Sequence, residues 1–105
     1  MASEMIEWRP VPEWPEYEVS SEGQVRRVAP GPGTRAGRLM KPQLDTNGRP
    51  AVVLKVGARR SQMRVSRLVL LAFIGPPPTP KHEGAHENRR RTDNRISNLS
   101  WKTNL

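Results

Sequence analysis

Residues 66–78, SRLVLLAFIGPPP, set the first limit on what this chain can fold into. Ser66 offers a hydroxyl for capping a helix N-terminus, and the run from Leu68 to Ile74 is wholly apolar. Gly75 and the three prolines after it stop a helix. The pattern predicts a helix over 66–75. A helix so short and so apolar is stable only when buried, which makes it the expected organiser of the core. Elsewhere 11 prolines and 8 glycines among 105 residues cut the chain into short pieces. A hydrophobic content of 34% allows one thin core and so one domain.

The pieces before the helix read as hairpins. In EWRPVPEWPEYEVSSEGQVRRV (7–28), YEVS and QVRRV alternate apolar and polar residues around the turn SSEG. Trp8, Trp14 and Tyr17, with Val19 and Val25, are expected to cover the apolar face of that hairpin. A base-stacking platform is the rival use of those rings. APGPGTRAG (29–37) has no periodicity and reads as an irregular loop. A short strand, a turn at Asn47-Gly48 and a second strand presenting Val52, Leu54 and Val56 on one face follow. GARRSQMRV adds a turn and a third strand with Met63 and Val65 inward. After the connector GPPPTPK, EGAHENRRRTDNRISNLSW (83–101) reads as a strand or loop, a polar turn and a return strand anchored by Leu99 and Trp101. The fold class is therefore α+β, with small antiparallel hairpins packed on one short helix.

Charge points to a partner. Eighteen Lys+Arg against 10 Asp+Glu leave +8 at pH 7, which favours a polyanion. Double-stranded DNA is the first candidate and an acidic protein the second. No basic amphipathic helix is evident, and no apolar run nears the ~18 residues that a membrane span needs. The opening MASEMIEWRP has neither the positive flank nor the apolar run of a signal peptide, so a cytoplasmic location is expected. Arg26, Arg27, Arg59, Arg60, Arg64, Arg89, Arg90 and Arg91 are the candidate phosphate contacts, with Lys41 and Lys55 secondary.

Catalytic options are few. The chain has no cysteine and only two histidines, His82 and His86, which excludes a Cys/His zinc site. No nucleophile elbow or phosphate-binding P-loop occurs. What remains is His86 among arginines and amides. An imidazole can take a proton from water and so serve as general base in phosphodiester hydrolysis. A lone histidine in a basic loop can equally be a plain surface residue.

HENRRRTDNRISNLSW (86–101) resembles the signature H-x-[DN]-x-x-x-x-[ND]-N-R-x-x-N-L-x-W of phage-type HNH homing endonucleases, whose site is a ββα-metal motif. The match falls on His86, Asn88, Asp93, Asn94, Arg95, Asn98, Leu99 and Trp101. Residues 7–28 look like the NUMOD-type motif that precedes such nucleases, and 37–75 look like their linking sheet and helix. The resemblance thus implies a NUMOD-like motif over 1–28, a loop over 29–37 and an HNH-like region over 38–105, whose partial ββα motif occupies 82–105. It implies His86 as general base, Asn98 as the residue that holds it, Asn94 and Arg95 on the return strand, and a divalent metal, Mg or Mn.

This sequence departs from the family pattern at the metal. The family places an Asp directly before the histidine, where Ala85 stands here, and a second ligand at a position that falls beyond Leu105. A methyl group cannot ligate a hard cation. In a strand Ala85 and Glu87 share a face, so Glu87 is a candidate replacement ligand, with Asn98 another. Ser66 stands where relatives often carry His. The expected function is a DNA-binding protein of the HNH endonuclease family without a complete metal site. The alternatives are an active metal-dependent HNH endonuclease that nicks or cleaves DNA through His86, and a basic interaction protein for an acidic partner.

Overall fold

The computed structural model describes residues 6–28 and 37–103. The loop expected over 29–37 lies, apart from Gly37, outside the described residues. Three strands form the first sheet: β1 (Trp8–Val11), β2 (Trp14–Ser20) and β3 (Val25–Arg27), antiparallel in the order β1-β2-β3. The β2–β3 hairpin matches the sequence reading, whereas β1 was not expected. Pro10 reads as a breaker, but β1 is an edge strand, where a missing N–H costs no ladder bond. Trp14, Tyr17, Val19 and Val25 are buried as anticipated. Trp8 is only half-buried, and the Arg26 guanidinium lies 3.8 Å above its ring.

The second sheet contains β4 (Gln43–Leu44), β5 (Pro50–Val56) and β6 (Arg59–Arg64) in the order β4-β5-β6. Val52 and Leu54 are buried and Val56 packs beside them, so the alternation in the sequence placed this face correctly. The β4–β5 turn is tied by Asp45, whose Oδ1 accepts the N–H groups of Asn47 (2.8 Å) and Arg49 (3.0 Å).

Strand β6 runs directly into α1, which spans Val65–Phe73. This corrects two expectations. Ser66 is not the cap: Arg64 takes the cap position with extended backbone, and no side chain bonds the helix start. Ser66 falls inside the first turn because the strand continues into the helix without an intervening turn. The helix also ends at Phe73 and not at Gly75. Ile74 and Gly75 both direct their N–H to the Leu70 carbonyl, and Gly75 turns the chain away with φ +112°.

The last sheet is the ribbon β7 (His82–His86) and β8 (Leu99–Thr103), in which Gly84 faces Trp101, Ala85 faces Ser100 and His86 faces Leu99. A Cβ on Gly84 would stand 3.0 Å from Leu70 Cδ1, so the ribbon lies close against the helix there and a side chain would require Leu70 to shift. Helix α1 touches strands of all three sheets. Its Val65, Leu68, Val69 and Leu70 share one core with Val11, Tyr17, Val19, Leu54 and Leu99. The chain is an α+β protein of small antiparallel sheets around one helix.

Candidate functional site

Between β7 and β8 the chain makes a polar loop, and Asn98 folds that loop onto itself. Its Oδ1 accepts the Asn88 N–H (3.0 Å), while its Nδ2 donates to Asn88 Oδ1 (2.9 Å) and to the Asp93 carbonyl (2.8 Å). Asn98 is buried, closing a 3-10 turn over Ile96–Asn98. Asp93 receives two 2.8 Å bonds from the Arg95 guanidinium and one from Asn88 Nδ2. Arg95 and Asn88 hold the Asp93 carboxyl well below the usual carboxylate range. The loop is therefore fixed before any ligand arrives.

His86, at the end of β7, lies with Nε2 2.7 Å from Asn94 Oδ1. An amide oxygen only accepts, so Nε2 is the donor in this contact, and in the neutral ring that leaves the lone pair on Nδ1. The contact that the family resemblance gave to Asn98 is made by Asn94, while Asn98 bonds Asn88 and Asp93. Asn94 and Arg95 stand in the loop and not on the return strand, which begins only at Leu99. Burial of the Asn94 amide gave no signal in the sequence, because a polar residue after a polar turn reads as solvated.

Beside His86 opens a cleft lined by Arg49, Gly84, Ala85, Arg89 and Arg91. None of these is acidic. Arg89 has φ +62°, a left-handed conformation that a non-glycine residue seldom takes. Its N–H donates to the His86 carbonyl (3.0 Å), which clamps the arginine to the histidine. Arg91 Nη1 donates to the Asn47 carbonyl (3.0 Å), joining the loop to the β4–β5 turn. Arg49, from that same turn, also lines an adjoining cavity with Arg64, Arg67, His82, Trp101 and the acidic Glu83. Arg67 lies 5.6 Å from the Trp101 ring centre. Neither Arg49 nor Arg67 stood out in the sequence, since nothing local tells that a turn tip will meet a strand far along the chain.

The arginines singled out from the sequence divide into two groups. Some are committed to the scaffold. Arg26 binds Glu18 (2.7 and 2.9 Å), Arg27 binds the Tyr17 hydroxyl and the Lys55 carbonyl, and Arg59 binds the Glu13 carbonyl while lying 3.9 Å above Trp14. Arg64 binds Asp45 at 2.9 Å. The aromatic rings here are seats for arginines. Arg60, Arg89, Arg90, Arg91, Lys41 and Lys55 are exposed. Of these, Arg89 and Arg91 reach the cleft, whereas Lys41 lines a separate groove on the second sheet.

The donors beside His86 do not suit a divalent cation. Among the described residues no three of His, Cys, Asp and Glu come together in a way that could hold a metal ion. Ala85 brings a methyl group to the cleft. Glu87 is engaged by the Ser100 hydroxyl and by Lys102 Nζ (3.1 Å), which lower its carboxyl below the usual range. The Asn98 oxygen is used by Asn88.

Residues 7–55 match the NUMOD4 motif, a stretch reaching from the start of the first sheet to β5. Over 98 residues the chain is 26% identical to an uncharacterized HNH endonuclease of Acanthamoeba polyphaga mimivirus, covering 93% of this chain and 23% of that protein. The fold matches the HNH homing endonuclease I-HmuI, a protein solved for its DNA binding and cleavage, with a TM-score of 0.76 at 25% identity. In its NUMOD4 motif, its sequence and its fold the chain is similar to HNH-type homing endonucleases. That fold match covers 92% of this chain and 52% of the I-HmuI chain, so the chain spans about half of one relative and under a quarter of the other. HNH endonucleases are generally metal-dependent, and among the described residues of this chain no cluster of His, Cys, Asp and Glu that could hold a metal stands beside the histidine. Among the described residues, no helix is long and apolar enough to cross a membrane.

Proposed function

We propose that this chain binds double-stranded DNA through the cleft beside His86, as an HNH-family protein that keeps the phosphate-facing cations without a complete metal site. One observation carries the reading: Arg49, Arg89 and Arg91 converge on His86 with no carboxylate on the cleft wall. Guanidinium groups meet phosphate oxygens in two-pronged geometry, and three of them on one wall suit consecutive phosphates of a strand. Such contacts give affinity and register without reading bases. Binding of a duplex oligonucleotide should weaken steeply with salt, by roughly −0.9 in log–log slope per neutralised phosphate. Arg49→Gln and Arg89→Gln should each reduce that slope by about one. Binding that ignores salt, or no duplex binding at low salt, overturns the proposal. A stable complex with an acidic protein after nuclease treatment would point to the interaction-protein alternative.

The His86 geometry favours a second reading, an active endonuclease. With Nε2 held by Asn94, Nδ1 is the nitrogen free to take a proton from an attacking water. On this reading, plasmid nicking in Mg²⁺ or Mn²⁺ is present in the wild type and lost in His86→Ala. Nicking that survives the substitution does not come from this site.

A further inference from the structure

The turn between β2 and β3, far from His86 in sequence, touches the residue that holds the histidine. Gly23 sits in that turn with φ +85°, and a Cβ added there would lie 2.8 Å from both Asn94 Cβ and the Asn94 carbonyl oxygen. Two residues earlier, the Ser21 carbonyl accepts the Ile96 N–H at 2.8 Å, so Asn94 is bracketed by contacts to one turn. That turn is itself rigid. Ser20 is fully buried, its hydroxyl accepts the N–H groups of Glu22 (3.2 Å) and Gln24 (3.0 Å), and its carbonyl accepts the Gly23 N–H (3.0 Å). On its other side Asn94 bonds His86 at 2.7 Å.

We infer that the β2–β3 turn of the NUMOD4 segment positions His86, with Gly23 setting where Asn94 stands and Asn94 setting the ring orientation and tautomer. Gly23 and Asn94 are then positioning residues for the histidine. The close contacts of Gly23 are with the Asn94 Cβ, carbonyl oxygen and carbonyl carbon, so an added Cβ would displace the Asn94 backbone and the root of its side chain together. The coupling makes the N-terminal sheet part of the HNH site. It concerns the free chain and does not depend on DNA binding or on cleavage.

The test is the imidazole NMR spectrum of the full chain, where His82 is an internal reference because the sequence has only two histidines. In the wild type, His86 should show a single Nε2–H tautomer with a slowly exchanging ring proton. Asn94→Ala and Gly23→Ala should both lose the protected Nε2–H signal and leave His82 in place. Gly57→Ala is the control for backbone strain alone: Gly57 has φ +61° but nothing within 4 Å of an added Cβ, so the His86 signals should stay unchanged. Should Gly23→Ala not fold, Ser20→Ala loosens the same turn without adding an atom beside Asn94, and the His86 signal should again shift. Wild-type His86 signals in folded Gly23→Ala, or in Ser20→Ala if that variant must replace it, overturn the inference. So do unchanged signals in Asn94→Ala.

Discussion

The Tyr17 hydroxyl makes three hydrogen bonds from within the core. It donates to the Lys55 carbonyl (2.9 Å), accepts the Lys55 N–H (3.0 Å) and accepts Arg27 Nη1 (2.8 Å). Strand β4 pairs with Pro50 and Ala51, so among the described residues this edge of β5 has no strand beside Lys55. The hydroxyl stands in for that missing strand and joins the first sheet to the second. Tyr17→Phe should cost ~1–3 kcal/mol, because it leaves the part-buried Lys55 N–H without its partner, while Arg27 keeps the Lys55 carbonyl and little apolar contact is lost. Urea denaturation checks this, and a loss well under that range would show that water replaces the bonds. The sequence made Tyr17 a core residue by alternation, which holds. Its role as a polar joint depends on Lys55, 38 residues away, and no local pattern carries that.

Elements were legible where their own residues suffice to form them. The apolar run ended by Gly75 and Pro76 made α1 readable, and Asn47-Gly48 made the β4–β5 turn readable. Strand β1 was missed because its reason to exist lies in β2. The β4–β5 turn also titrates. The Arg49 N–H and the Arg64 guanidinium, with help from the Asn47 N–H, lower Asp45 from 3.8 to about 2 against partial desolvation. A carboxyl whose folded pKa lies below its unfolded value binds fewer protons in the native state. Its contribution is therefore complete above 3.8 and disappears as pH falls through about 2. The wild type should melt higher than Asp45→Asn at neutral pH, and the gap should close over that acid window. Thermal melts across pH check it; a gap that persists at the acid end would mean that shape, and not charge, holds the turn.

At the scale of the whole molecule, α1 is in contact with strands of all three sheets. Leu68 is fully buried at that junction. Leu68→Ala should destabilise by about 2–5 kcal/mol, the usual cost of a cavity at a closed core position. The loss should appear as one transition, followed equally by tryptophan fluorescence and far-ultraviolet circular dichroism. Separate transitions would show that the β7–β8 ribbon unfolds independently of the first sheet. The sequence by itself determined that a helix follows Arg64 and stops before the prolines, though not its last residue, and it determined the hairpins around their turns, the basic balance and the spacing from His86 to Trp101 that resembles the family signature. Each depends on residues close in the chain or on a sum over it. Only the tertiary structure decided that Asn94 holds His86, that Arg49 and Arg89 share its cleft while Arg26, Arg27 and Arg59 serve the scaffold, and that Gly23 touches Asn94. These are contacts of a few ångströms between segments that meet only when three small sheets close around one helix, and hydrophobic periodicity says nothing about which polar groups such closure brings together.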